Sequence, residues 1–144
     1  MAFARKSFGN LPDRPGSALM LSIIVPTFRR EVYLPPLIAA VASQLVDLPE
    51  AVEMVLVDNS PDASARTVPL PDFVRYVHEP RAGVAHARNR GVAEARGTHV
   101  IFLDDDELPA PGWLAAFATA ARQGARAAFG AVEIERIVGR TDVF

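Results

Sequence analysis

Three short apolar runs, each closing on a turn or on charge, constrain this chain more than anything else in it: LSIIVP at 21–26, EMVLVD at 53–58 and THVIFL at 98–103, with VRYVH at 74–78 read as a further, shorter strand. Runs this short and continuously apolar suit strands covered on both faces, as in a parallel sheet. The intervening segments have helical length and spacing. Residues 31–45 place Leu37, Ile38, Val41 and Leu45 on one face, with Pro35 and Pro36 acceptable only in the first turn. Residues 83–95 repeat the small residues Ala87, Gly91 and Ala95 every four positions, a stripe that lets a helix lie close against a sheet. A helix over 113–123 and a partial strand over 127–137 follow. Strands alternating with helices predict an α/β fold with a mainly parallel sheet, right-handed crossovers and ligands at the carboxyl ends of the strands.

The 144 residues, half of them hydrophobic, suffice for one compact domain. Residues 1–18 are rich in Pro, Gly and charge and lack periodicity, so they are expected to form a flexible leader, with the domain occupying 19–144. Fifteen Lys plus Arg against 17 Asp plus Glu argue against a nucleic-acid partner. The absence of cysteine excludes disulfides and thiolate chemistry and leaves only oxygen or histidine ligands for any metal. No secretory signal is visible, and the longest apolar stretch, around 113–121, is well short of the roughly 20 residues that span a bilayer. A soluble, cytoplasmic chain, with attachment at the membrane periphery as an option, is the expectation.

The strand at 98–103 passes without a linker into Asp104, Asp105, Asp106 and Glu107. Two unit charges about 4 Å apart repel by roughly 4 kcal/mol at an effective dielectric near 20, so carboxylates fixed together at a sheet edge call for a cation. Oxygen-only ligation selects a hard ion such as Mg²⁺ or Mn²⁺, which keeps positions open for water and phosphate. The plainer alternative is a solvated acidic turn.

Three further places gather at the same predicted edge. Pro26, Thr27, Phe28 and Arg29 end the first strand, where backbone groups and a hydroxyl can meet a base or ribose. Asp58 ends the second strand and can accept from a nucleobase N–H or a ribose hydroxyl, or equally from its own turn. Arg88 and Arg90 lie on the helix before the acids, where one facing the site can pair with phosphate and one facing outward is solvated.

Taken in order, SIIVPTFRR, VLVDNSPD, GVAHARNRG and HVIFLDDDELPAPGWL resemble the successive motifs of the family 2 glycosyltransferases over residues 22–114. The resemblance implies a GT-A fold, incomplete at its C-terminus. It also implies a nucleotide-diphosphate sugar, UDP- or GDP-linked, whose sugar passes with inversion to a hydroxyl of a saccharide or lipid-linked acceptor. By position, Pro26, Thr27 and Arg29 would line the nucleotide pocket, Asp58 would bind the base, and Arg88 would approach the base or diphosphate. Asp104 and Asp106 would be the acids of the family's D-x-D motif, with Asp106 the foremost ligand of Mg²⁺ or Mn²⁺ and Asp104 or Asp105 holding ribose or sugar.

The family's catalytic base comes well after D-x-D, whereas 38 residues follow Asp106 in the 144-residue chain. Glu133 and Glu135, on one face of the last predicted strand, match no acceptor-site motif, so no base is assigned. The alternative is a non-catalytic nucleotide-sugar-binding or assembly module, whose exposed apolar surface a homodimer would cover. A phosphoacceptor receiver domain fits poorly, because it needs acids after the first strand, where Pro26, Thr27, Phe28, Arg29 and Arg30 stand.

Overall fold

The computed structural model describes residues 2–5 and 18–130. Its six-stranded sheet is built from β1 (Ala2–Arg5), β2 (Met20–Thr27), β3 (Ala51–Asp58), β4 (Val74–His78), β5 (His99–Phe102) and β6 (Ala127–Phe129). The helices are α1 (Leu34–Ala42), α2 (Val84–Glu94) and α3 (Trp113–Arg122), and a short 3₁₀ turn, Glu31–Tyr33, leads into α1.

The strand order is β4-β3-β2-β5-β1-β6. The first four are parallel throughout, with Thr27 level with Asp58 and Asp58 level with His78. This is the mainly parallel sheet with flanking helices that the alternation of strands and helices in the sequence predicts. Ala2–Arg5 departs from the expected leader, because it pairs antiparallel with both β5 and β6. Four residues are too few for strand periodicity to stand out beside a Pro- and Gly-rich stretch. The partial strand expected over 127–137 is seen as β6, and Glu133 and Glu135 lie outside the described residues.

Side-chain alternation along the parallel strands makes two cores, one on each face. Leu21, Ile23, Val25, Met54, Leu56 and Ile101 pack with Leu37, Ile38 and Val41 of α1 and with Leu114, Phe117 and Ala118 of α3. On the other face, Ile24, Val55, Val57, Val77 and Val100 pack with Ala87 of α2 and with Ala95. The small-residue stripe is what brings α2 close. A β-carbon at Gly91 would overlap Ile24 Cγ2 and stand 3.3 Å from Val57 Cγ2.

The expected helix from residue 31 divides at Tyr33. Pro35 and Pro36 fall in the first turn of α1, where their missing N–H groups forfeit no intrahelical bond.

The chain runs from β2 to β3 and β4 on one side, then returns through α2 to β5 on the other side of β2. Such a reversal of strand order leaves a crevice at the carboxyl ends of the strands, where open α/β sheets bind ligands.

Candidate functional site

That crevice is a cleft of about 530 Å³. Its walls come from Pro26, Thr27, Phe28 and Arg30 after β2, Asn59 after β3, Gly83, Val84, Ala87 and Arg88 at the start of α2, and Asp104, Asp105 and Asp106 after β5. Residues far apart in sequence meet here because parallel strands deliver all their carboxyl ends to one edge.

The three aspartates are individually distinct. Asp105 is buried, accepts a 2.8 Å hydrogen bond at Oδ2 from Thr27 Oγ1, and accepts at Oδ1 from Arg30 Nη1 at 3.2 Å. Asp106 is half-exposed and accepts at Oδ2 from the same Arg30 nitrogen at 2.8 Å. Asp104, also half-exposed, accepts at Oδ1 from Arg88 Nη2 at 2.8 Å. The hydrogen bond from Arg30 to Asp106, reinforced by the charge of Asp105, holds the guanidinium above its ordinary pKa. Arg88 lies with its guanidinium carbon 5.8 Å from the centre of the Phe102 ring, and its buried Nε has no hydrogen-bond partner among the described residues. Two arginines thus converge on three acids, and both keep donors for an anion.

Asp58 is fully buried and does not reach the cleft wall. Oδ1 accepts from the Ser60 amide and hydroxyl at 2.9 and 2.6 Å, and Oδ2 accepts from the Ala65 amide at 2.8 Å and the Tyr76 hydroxyl at 3.0 Å. Burial pushes its pKa up, but the donors from Ser60, Ala65 and Tyr76 outweigh burial and the net shift is downward. In this structure the carboxylate organises its own turn, the alternative that the sequence left open.

The neighbouring Asn59 lines the cleft instead. Its Nδ2 donates to the Glu79 and Arg81 carbonyls, both at 2.7 Å, and its Oδ1 accepts from the Gly83 amide at 2.9 Å. Asn59 thereby clamps the loop that enters α2, where Gly83 has φ of +126°, a conformation reserved in practice for glycine.

Arg29 also stands elsewhere than expected. Its backbone is left-handed, φ 52°, and its side chain turns out to Asp62 at 3.4 Å. That twist points the following residue, Arg30, at the acids. Arg90 pairs with Glu94 one turn along α2, so Arg88 alone of that pair lines the cleft. Arg30 and Asn59 are the residues that sequence reasoning missed. The tandem arginines after β2 were the available signal for Arg30.

Among the described residues no three Asp, Glu or His side chains are grouped to cage a metal. The half-exposed oxygens at the cleft nevertheless fit a hard ion of the Mg²⁺ or Mn²⁺ type, which takes one or two carboxylates and completes its shell with water and phosphate.

A parallel α/β sheet with acids and arginines at its switch point defines an open α/β protein with a charged ligand cleft, and comparison makes the class specific. The family model "Glycosyl transferase family 2" matches residues 22–142, and this chain belongs to that family. It is 31% identical over 125 residues to the succinoglycan biosynthesis protein ExoM of Rhizobium meliloti, covering 82% of this chain and 40% of ExoM. Among solved structures it is similar to the Pyrobaculum calidifontis mannosyltransferase PcManGT in complex with GDP-Man and Mn²⁺. There the TM-score is 0.55 at 33% identity, over 66% of this chain and 30% of that one. It is also similar to S. aureus TarS in complex with UDP-GlcNAc, with a TM-score of 0.55 at 25% identity over 73% of this chain and 32% of that one. The chain spans 40% of the length of ExoM and 11% of that of the Bacillus subtilis minor teichoic acid biosynthesis protein GgaB, to which it is also similar. These neighbours bear out the GT-A architecture. No helix among the described residues is long and apolar enough to cross a membrane.

Proposed function

We propose that this chain binds a nucleotide-diphosphate sugar in the cleft and provides the donor side of an inverting glycosyl transfer to a saccharide or lipid-linked hydroxyl. The observation that carries the proposal is the meeting of Asp104, Asp105 and Asp106 with Arg30 and Arg88 in one cleft at the switch point. The neighbours with bound GDP-Man and UDP-GlcNAc support the ligand class, and Mn²⁺ beside GDP-Man supports a divalent ion.

Asp106, with Asp104, would hold Mg²⁺ or Mn²⁺, which when bound supplies Lewis-acid stabilisation of the leaving diphosphate. The chain's own residues do the rest of the donor-side work. Arg88 lines the cleft and offers the guanidinium N–H groups that Asp104 does not use to the donor's phosphate oxygens or base, a charge-assisted contact. Thr27 fixes Asp105 by a buried hydrogen bond, so one carboxylate of the cluster keeps its place as the ligand arrives. Pro26 and Phe28 form an apolar wall suited to the nucleoside. Asp58 shapes the pocket through the turn it organises, and Arg29 by presenting Arg30.

A second reading, binding without transfer, rests on a separate observation. The described cleft walls carry no carboxylate besides these three aspartates, which the donor-side reading already uses for the metal and the sugar, so none of them is left over as a separate base for the acceptor's proton. Calorimetry with UDP, GDP and their sugars, with and without Mn²⁺, tests the common core. Metal-dependent binding lost in Asp106→Asn is expected; no metal-dependent binding of any of them to the wild-type chain refutes it. Release or transfer of the sugar by the purified chain, abolished by Asp106→Asn, decides for transfer over binding alone.

A further inference from the structure

We infer that Arg30 is a resident counter-cation of the Asp105–Asp106 pair, which a divalent ion must displace, so that the site takes metal tightly only together with a diphosphate. The inference rests on the proposed nucleotide-sugar site and goes beyond it by assigning a role to a residue outside the predicted site.

One guanidinium nitrogen, Arg30 Nη1, bridges the two carboxylates at 3.2 and 2.8 Å. A cation shared by two acids lowers the repulsion between them just as a metal would. It therefore competes with the metal for the same oxygen atoms. Asp105 has no second site to offer, because its other oxygen is bound to Thr27 and the residue is buried. Asp104 is likewise engaged by Arg88. A divalent ion arriving alone finds three carboxylates already offset by two arginines, and gains little. A diphosphate arriving alone meets arginines whose charge the same carboxylates already offset, and likewise gains little.

When both arrive together the charges redistribute. The ion takes the aspartate oxygens, and the diphosphate supplies negative charge to the released Arg30. The side chain is half-exposed and its Asp106 contact is at the surface, so the exchange needs a rotamer change and no unpacking. The left-handed φ of 52° at Arg29 aims Arg30 at the acids, and the same turn keeps Arg30 at the cleft wall once released.

The experiment is a titration of Mn²⁺ into the full chain, followed by electron paramagnetic resonance, for wild type, Arg30→Gln and Arg90→Gln. Arg90 pairs with Glu94 away from the cleft, so its variant controls for the loss of one positive charge. With no nucleotide present, Arg30→Gln is expected to bind Mn²⁺ more tightly than wild type, by up to about fivefold, the order of magnitude of a partly exposed ion pair. Arg90→Gln is expected to stay close to wild type.

In a second titration, saturating UDP is expected to tighten Mn²⁺ binding by a smaller factor in Arg30→Gln than in wild type. Equal or weaker Mn²⁺ binding by Arg30→Gln in the absence of nucleotide overturns the inference, including the case in which neither protein binds. So does equal tightening in Arg90→Gln, because the effect would then be one of net charge. If UDP and GDP fail to bind any of the proteins while Arg30→Gln still gains Mn²⁺ affinity, the nucleotide-sugar reading falls and the Arg30 displacement stands. Circular dichroism of each variant confirms that a loss is not a folding failure.

Discussion

Thr27 Oγ1 donates a buried 2.8 Å hydrogen bond to Asp105 Oδ2, joining the end of β2 to the acidic turn after β5 across 78 residues of chain. The bond is the fixed point of the cleft, because Asp105 is the buried member of the acidic trio while Asp104 and Asp106 are open to solvent.

Thr27→Val preserves the shape of the side chain and leaves one buried carboxylate oxygen without its donor. Hydrogen bonds to charged groups contribute about 1.5–3 kcal/mol, so urea unfolding should show a loss near 2 kcal/mol. Metal-dependent nucleotide binding should weaken as well. Unchanged stability would mean that solvent already reaches Asp105.

A different kind of intolerance is expected at Gly91. Alanine would gain about 1 kcal/mol of helix propensity, but its β-carbon would overlap Ile24 Cγ2, and overpacking costs roughly 1–3 kcal/mol. Net destabilisation of Gly91→Ala, with a positive coupling to Ile24→Ala in a double-mutant cycle, is the expected result. A stabilised Gly91→Ala would show that α2 can lift from the sheet without loss.

The role of Gly91 was legible in the sequence because a small residue every four positions on a helix says directly that a neighbour is close. The four parallel strands were legible for a similar reason: a doubly covered strand leaves a run such as IIV or MVLV that no surface element resembles. The site was legible only as far as its edge. Asp104, Asp105, Asp106, Thr27 and Arg88 could be placed there because each lies at or just after the end of a strand or in the first half of a helix. Where a side chain then points depends on backbone torsions that composition does not carry. Arg29 and Arg30 are chemically identical neighbours, and a left-handed φ at the first decides that the second faces the acids. Asp58 was ambiguous between ligand and turn because both uses begin with a carboxylate at a strand end; its four internal donors became visible only with the 3₁₀ turn Ser64–Thr67 and β4 in place.

Ala63 carries a left-handed backbone, φ 54°, immediately before that 3₁₀ turn. The left-handed region costs an L-residue roughly 1–2 kcal/mol, whereas glycine in the unfolded chain gives back about 0.4–1 kcal/mol. Ala63→Gly should therefore raise stability by about 0.5–1 kcal/mol in urea unfolding. A loss would show that the methyl group contributes packing beyond its strain.

Acid should unfold this protein partly through Glu79. The Arg81 side chain and amide hold its carboxyl at a pKa of about 2, against 4.5 for an ordinary glutamate. A folded-state pKa below the unfolded one gives stability that is fully present above about pH 4.5 and is lost as pH falls toward 2. Asp58, also depressed, acts in the same direction. The urea midpoint should fall through that window, and Glu79→Gln should lower it at neutral pH while flattening its acid dependence. An equally steep acid slope in the variant would assign the effect to other carboxylates.

The loop that Glu79 begins is also held from the other side, and Asn59 offers the sharper test of how the cleft is shaped. Its amide donates to two carbonyls of the loop and accepts from the Gly83 amide, so it reads both polarities of the backbone at once. Asn59→Asp keeps the acceptor for Gly83 but replaces two donated bonds with a charge facing the Glu79 and Arg81 carbonyls. Asn59→Ala removes all three bonds without adding that repulsion. If the clamp works through both polarities, hydrogen exchange at Gly83 should quicken more in Asn59→Ala, where its acceptor is gone. Global stability should fall further in Asn59→Asp, by about 1–3 kcal/mol for each carbonyl left unpaired plus the repulsion. The two measurements would then rank the variants in opposite orders, which simple loss of packing at residue 59 does not produce. The same ranking in both experiments would reduce Asn59 to a space-filling residue.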